Sequence, residues 1–243
     1  MLRSDIFQGT AMTTITKEAR EKLADVSTAT LTTQLFKRGF RNAYLQGVGR
    51  LTSHHRSMVG PAFTLRYIPA REDVDHLGVF QDYDHPQRKA IESVPEGGVL
   101  VMDCRGDASA ASAGSILVTR LMMRGGGGLV TDGGLRDSPE IAGFDIPCFT
   151  GGASAPTNLI KHHAVEELNQ PIGCGGVAIY PGDIMVGDRE GVVALPAHLA
   201  EEIAHEAHAQ ERQERFIISE VRSGKALRGV YPPNAEAQAR YDA

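Results

Sequence analysis

The chain has 243 residues and a net charge of −5, a length that supports one large core rather than two. Its 25 Lys and Arg residues are scattered along the sequence, which excludes the basic stripe of a nucleic-acid-binding surface. Three widely spaced cysteines, Cys104, Cys148 and Cys174, exclude a disulfide framework and a C-x-x-C metal or redox motif, so a reducing, cytoplasmic compartment is expected. The longest uncharged run, residues 108–119, is broken by serines and a glycine and is neither a membrane span nor a secretory segment.

Residues 1–12 carry no periodic pattern and contain a second methionine, Met12; they read as a disordered or extended lead. A single domain is expected over residues 13–231, followed by a tail at 232–243. Short aliphatic runs bounded by glycine alternate with helical patterns, which argues for an α/β domain. Gly98-Val99-Leu100-Val101-Met102-Asp103 and Gly128-Leu129-Val130-Thr131-Asp132 are predicted as buried strands. Residues 110–124 between them are predicted as a helix burying Ile116, Leu117, Leu121 and Met123, giving a parallel strand-helix-strand unit. The glycine run 125–128 lacks the phosphate-loop spacing and reads as the tight return to the second strand.

Further on, residues 137–142 are predicted helical, 146–149 extended and 154–158 a loop. His162, His163, Glu166 and Glu167 have helix spacing and read as a solvated face rather than a metal site. Residues 176–180, 184–187 and 192–195 form a predicted β-meander with turns at Asp183 and Asp188. A C-terminal helix is expected over 197–223, polar through its middle and suited to bridging to another subunit, with His205 and His208 on its polar surface. Cys104 and Cys174 have no activating neighbour in the sequence and read as packing residues.

The chemistry concentrates in Gly133-Gly134-Leu135-Arg136-Asp137, a predicted strand-to-helix turn at the carboxyl edge of a sheet, where open α/β folds bind ligands. Arg136 offers a planar cation for a carboxylate and Asp137 a hard oxygen ligand for Mg²⁺ or Mn²⁺. The same pair also suits a capped helix start with a surface ion pair. Gly114-Ser115-Ile116-Leu117, near the preceding helix start, presents backbone amides able to hold an anion, or a close helix-on-sheet contact. Two such turns at neighbouring strand ends face one crevice.

These stretches, with Val59-Gly60-Pro61-Ala62-Phe63-Thr64 upstream and Pro181-Gly182-Asp183, Asp188 and Gly191-Val192-Val193 downstream, resemble the family of 4-hydroxy-4-methyl-2-oxoglutarate/4-carboxy-4-hydroxy-2-oxoadipate aldolases and the regulator of ribonuclease activity A. The resemblance spans roughly residues 25–231. It implies a swivelling α/β/β/α sandwich, assembled as a trimer or dimer of trimers, with the active site at a subunit interface. It also implies a divalent-metal-dependent, class II retro-aldol cleavage of a 4-hydroxy-2-oxo acid to pyruvate, with oxaloacetate decarboxylation as a side activity.

On that resemblance Asp137 ligates the metal, Arg136 holds the pyruvyl carboxylate and keto oxygen, and the amides of Ser115 to Leu117 complete the carboxylate pocket. The family's interfacial glutamate falls at Glu211 or Glu214. One departure stands out: Ser115 occupies the position where the aldolases carry an acidic residue, and a serine neither neutralises a metal nor accepts a proton at neutral pH. Asp103 and Asp107 are the nearby carboxylates that would compensate, against the more ordinary role of turn or cap. Two alternatives follow, a hydro-lyase acting on a 2-keto-3-deoxy sugar acid and a non-catalytic protein that binds a ribonuclease.

Overall fold

The computed structural model describes residues 15–54 and 56–242; the expected lead at residues 1–12 lies outside them. The chain opens with α1 (Lys17–Asp25) and α2 (Thr28–Lys37). Each starts at a hydroxyl cap: Thr16 Oγ1 accepts from the Ala19 amide at 3.1 Å and Ser27 Oγ from the Thr30 amide at 3.2 Å, satisfying amides that have no partner within the helix. Then follow β1 (Gly49–Arg50), β2 (Met58–Pro69), a 3₁₀ turn at Leu77–Gln81, α3 (Pro86–Ser93), β3 (Val99–Asp103), β4 (Ala111–Ala113), α4 (Ser115–Met123), β5 (Gly128–Leu135), α5 (Ser138–Ile141) and β6 (Cys148–Ala153). The remainder comprises β7 (His162–Ala164), β8 (Ile172–Cys174), β9 (Val177–Ile179), β10 (Ile184–Gly187), β11 (Val192–Leu195), α6 (Ala200–Arg222) and α7 (Ala235–Asp242).

One sheet runs β1-β6-β5-β3-β2-β10-β11, with β4 added to β5 and β7 to β2. Strands β2, β3, β5 and β6 are mutually parallel, whereas β10 runs antiparallel to β2 and β11. The long β2 joins the two regions, pairing with β10 through residues 58–61 and with β3 through 62–66. Because both of its faces are covered, residues 58–65 are all buried, the continuous pattern expected of a doubly covered strand.

Three hydrophobic clusters define the layers. Val118, Leu121 and Ile141 from the α3–α5 side pack on Leu65, Leu100 and Leu129 of the parallel strands. On the far side Leu23, Leu31, Ile203 and Ala207 from α1, α2 and α6 pack on Val59, Val186 and Val193. Between the curved halves of the sheet lie Met58, Val101, Val130, Phe149 and Met185. The result is the expected α/β/β/α sandwich with a long C-terminal helix. Among the described residues no helix is long and apolar enough to cross a membrane.

Several local expectations are corrected. Residues 110–124 are not one helix: Ala111 and Ala113 pair with Gly134 and Leu135 of β5, and Ser112 Oγ bonds both the Gly134 carbonyl and Thr131 Oγ1 at 3.0 Å. Small residues lacking a committed helical face are drawn into the available strand edge, and α4 begins only at Ser115. Its inward face is therefore Val118 and Leu121, while Ile116 and Met123 are exposed. The meander is also rearranged, since β9 pairs with β8 and not with β10. At the intervening turn the Asp183 carbonyl accepts from the Ala62 amide at 2.8 Å, which sets β10 alongside β2.

His162 and His163 lie on β7 rather than on a helix face. His162 is fully buried beside Tyr67, ring centroids 5.8 Å apart; His163 Nδ1 lies 2.8 Å from Asp75 Oδ1. Burial, partly offset by the Asp107 charge, holds His162 below the ordinary imidazole value of 6.5, and burial does the same for His85. The unfolded chain therefore takes up protons more readily. The stabilising contribution of neutral His162 is fully present above pH 6.5 and is lost as the pH falls below it. His162→Phe is expected to flatten the fall in melting temperature between pH 7 and 5 relative to the parent, a difference thermal unfolding across that range checks.

The segment read as a tail carries α7, with Ala237 buried, Tyr241 against Phe216 at 5.4 Å and Arg240 paired with Glu220 at 2.6 Å. Asp132 ties three segments together. Its buried carboxylate accepts from the amides of Cys104 (2.6 Å), Gly106 (2.9 Å) and Gly175 (3.1 Å). Asp132→Ala leaves those amides without an acceptor and is expected to cost about 3 to 5 kcal/mol, read by chemical denaturation.

Candidate active site

Strand β5 extends through Leu135, so Gly133, Gly134 and Leu135 belong to the sheet and the turn proper is Arg136-Asp137. Arg136 is anchored by its amide, which donates to the Ala113 carbonyl at 3.0 Å. Asp137 adopts the left-handed conformation, φ 55°, at the start of α5, a geometry that aspartate tolerates better than most residues. It stands at the cap position, yet its carboxylate makes no cap hydrogen bond to α5. Instead Oδ2 reaches across to α4, accepting from the Ser115 amide at 3.2 Å and from Ser115 Oγ at 3.3 Å. Arg136 Nε lies 3.7 Å from the same oxygen.

Gly114 makes this closeness available. A Cβ at position 114 would stand 2.7 Å from Arg136 Cγ and 2.8 Å from Asp137 Oδ2, so any larger residue would have to displace both side chains. Gly114 also caps α4 without a side chain. Of the first amides in that helix, Ser115 N is engaged by Asp137 and Leu117 N by the Gly114 carbonyl. The amide of Ile116 has no partner among the described residues.

The predicted convergence of the two turns is observed as a cleft of about 340 Å³ that Gly114, Ile116, Leu117, Arg136 and Asp137 line. Five further lining residues carried no sequence signal: Phe80, Gln87, Arg88, Thr157 and Asn158. They come from the segment before α3, from α3 itself and from the loop before β7. Helix α3 packs on α4 and α4 on α5, which brings Gln87 and Arg88 to the cleft. Gln87 Nε2 donates to the Ser112 carbonyl at 2.6 Å, beside the Tyr67 hydroxyl at 3.0 Å, and so fixes the β4 wall.

Glu211 and Glu214 do not line this cleft. Within the chain Glu211 accepts from Ser27 Oγ at 3.1 Å and Thr30 Oγ1 at 2.7 Å, and Glu214 accepts from Gln210 at 2.8 Å. Much of the polar middle of α6, expected to bridge outward, is used in this way within the chain: Arg38 pairs with Glu202 and Glu206, and Arg215 with Asp25. His205 and His208 join the same clasp, 2.7 Å from Lys22 Nζ and 3.5 Å from Asp25 Oδ2. Glu211→Ala is expected to lower stability by about 1 to 2 kcal/mol through loss of these bonds, measured by thermal melting.

Asp103 and Asp107 act as turn residues. Asp103 accepts from the Arg105 and Gly173 amides, and burial raises its pKa; Asp107 accepts from the amide and hydroxyl of Ser109, which lower its pKa. Neither lines the cleft. Among the described residues no cluster of three or more His, Cys, Asp or Glu side chains converges. The donors nevertheless fit a hydrated hard cation. Asp137 Oδ1 accepts no protein hydrogen bond among the described residues, Ser115 Oγ is bonded to the other carboxylate oxygen, Oδ2, and Mg²⁺ commonly keeps several waters on one or two carboxylates.

With this geometry in place, comparison with known proteins is direct. The RraA-like family, described as Aldolase/RraA, matches residues 22–194, and the chain belongs to that family. A Halalkalibacterium halodurans protein provisionally named 4-hydroxy-4-methyl-2-oxoglutarate aldolase is 31% identical over 192 residues, covering 75% of this chain and 85% of its own. An Arabidopsis thaliana protein provisionally named 4-hydroxy-4-methyl-2-oxoglutarate aldolase 3 is 28% identical, covering 64% and 85%. Among solved structures, Streptomyces coelicolor RraAS2, described as an unusual member of the RNase ES inhibitor RraA family, superimposes with a TM-score of 0.73 at 31% identity, covering 83% of this chain and 96% of its own.

Proposed function

We propose that the protein is a divalent-metal-dependent lyase that cleaves a 4-hydroxy-2-oxo acid to pyruvate and a second oxo compound. The observation that carries this reading is the meeting of Arg136, Asp137 and the α4 start in one cleft, with the Asp137 carboxylate hydrogen-bonded to Ser115. Arg136 binds the 2-oxo acid head, its guanidinium pairing with the carboxylate and supporting the charge that grows on the keto oxygen as the C3–C4 bond breaks. The free Ile116 amide at the α4 start adds a backbone donor to the carboxylate. Asp137 would hold the cation, and Ser115 keeps one oxygen of that carboxylate oriented. Bound there, Mg²⁺ or Mn²⁺ supplies Lewis-acid stabilisation of the enolate charge and an acidified water.

The same enolate forms on loss of CO₂ from oxaloacetate, which makes decarboxylation the expected side activity. The working form on this reading is a homotrimer or a dimer of trimers. A pyruvate-release assay on 4-hydroxy-2-oxo acids with and without EDTA tests the proposal. Activity lost with EDTA and restored by Mg²⁺ or Mn²⁺ supports it; turnover indifferent to chelation removes the metal from the mechanism. Ser115 in place of an acid, together with the Gln87, Thr157 and Asn158 lining, favours one second reading, a hydro-lyase on a 2-keto-3-deoxy sugar acid. Water loss without carbon–carbon cleavage from such an acid would select it.

A further inference from the structure

The two ends of the Gln87 amide are used differently. Gln87 lines the cleft and is only 6% exposed. Its backbone is held in the first turn of α3, where its amide donates to His85 Nδ1 at 3.4 Å. A carbonyl only accepts, so the atom 2.6 Å from the Ser112 carbonyl is the side-chain nitrogen, and the oxygen Oε1 is turned the other way. Oε1 receives no hydrogen bond among the described residues. The neighbouring polar groups of the lining are already engaged: Thr157 Oγ1 donates to Asn158 Oδ1 at 3.2 Å, and Asn158 Nδ2 donates to the His162 carbonyl at 3.5 Å. A nearly buried acceptor with a fixed direction and no protein donor is matched by a donor that arrives with the ligand.

The kind of donor follows from the chemistry. As the C3–C4 bond breaks, C4 becomes a carbonyl and its hydroxyl proton must pass to a base, which an amide oxygen is not at neutral pH. Oε1 therefore suits a hydroxyl that keeps its proton throughout turnover, and such a hydroxyl lies on a carbon beyond C4.

We propose that Gln87 is a specificity-determining residue whose Oε1 accepts a hydrogen bond from a substrate hydroxyl at C5. This assignment rests on the lyase reading for the position of the 2-oxo acid head and for the fate of the C4 hydroxyl. It makes the substrate a 2-oxo acid with a hydroxylated tail, the 2-keto-3-deoxy sugar acid class, whose cleavage gives pyruvate and a hydroxyaldehyde.

A matched pair of uncleavable ligands tests it without turnover: N-(2-hydroxyethyl)oxamate and N-ethyloxamate. Both reproduce the carboxylate and C2 carbonyl of the head, and they differ at the position of C5 in a hydroxymethyl against a methyl. Calorimetric titration of the full chain in Mg²⁺ is expected to show the hydroxyethyl ligand binding at least about fivefold more tightly. Gln87→Leu and Gln87→Met should each bring the pair to within about twofold while leaving N-ethyloxamate and oxamate binding unchanged. The β4 wall survives both substitutions, because the Tyr67 hydroxyl still donates to the Ser112 carbonyl at 3.0 Å. No preference in the parent chain, a preference that survives both substitutions, or equal weakening of all three ligands would each overturn the assignment. The lyase reading fails separately: if no 4-hydroxy-2-oxo acid releases pyruvate, or if Arg136→Gln leaves oxamate binding intact, the head site is misassigned, and the contrast between the paired ligands still decides Gln87.

Discussion

Asp137→Asn is expected to reduce pyruvate release by about a thousandfold or more while shifting the melting temperature by no more than about two degrees. Asparagine tolerates the left-handed backbone at φ 55° nearly as well as aspartate. Its amide oxygen can accept from the Ser115 amide and hydroxyl as Oδ2 does. The side chain is 40% exposed, so removing its charge strands no buried partner. What disappears is the negative charge beside Arg136 and the anionic oxygen available to a cation. Steady-state kinetics with Mn²⁺ titration of the variant is the check, with metal affinity and kcat expected to fall together. Near-parental turnover would place the chemistry elsewhere. Asp137→Ala is the poorer probe, because it adds a backbone cost of about 1 to 2 kcal/mol at a left-handed position.

Gly114→Ala is expected to lower kcat/KM by about a hundredfold with a stability change below about 1 kcal/mol. The backbone at Gly114, φ −132° and ψ −178°, is extended and accepts alanine without strain, so the effect is purely one of contact. The new methyl would meet Arg136 Cγ at 2.7 Å, Asp137 Oδ2 at 2.8 Å and Arg136 Cδ at 3.0 Å. Flexible side chains give way before the sheet does, and the two that must move are those assigned to the reaction. A displacement of about an ångström in positioned groups is enough for a loss of this size. Parallel kinetics and thermal melting separate the cases: unchanged kcat/KM would show that the placement of Arg136 and Asp137 is not rate-determining.

The candidate site was legible where chemistry and chain geometry coincide in a short stretch. Arg136 and Asp137 follow a buried aliphatic strand and precede a helix, and Gly114 stands near the next turn, so their convergence could be expected from parallel strand-helix-strand geometry. Asp137 does not cap α5, the helix it precedes; its carboxylate turns toward Ser115 at the start of α4. Arg88 and Phe80 left no such trace, because nothing in residues 70–93 reveals that α3 will lie against α4.

The misread elements share one cause. Ala111 and Ala113 have helical propensity, but β5 offered an unpaired edge and they became β4; tertiary pairing outweighs propensities of a few tenths of a kcal/mol per residue. His162 has the spacing of a polar helix face and is instead a buried strand residue beside Tyr67, since β2 extends far enough to take a partner there. Part of the polar middle of α6 is met within the chain by complementary groups at α2 and its caps, such as Ser27, Thr30 and Arg38, pairings that the spacing of polar residues along one helix does not reveal.

By itself, then, the sequence determined the α/β class, the buried strands β3 and β5, the parallel unit joining them, the long C-terminal helix and the Arg136-Asp137 pair. All of these rest on local periodicity, on glycine turns, or on residue types whose chemistry is carried by the side chain alone. Tertiary structure decided which strand edges are filled, which carboxylates are spent on backbone amides and hydroxyls, as Asp103, Asp132 and Glu211 are, and which side chains line the cleft from distant segments, as Phe80 and Arg88 do. Those outcomes depend on contacts between segments far apart in the chain, and no window of sequence contains both sides of such a contact.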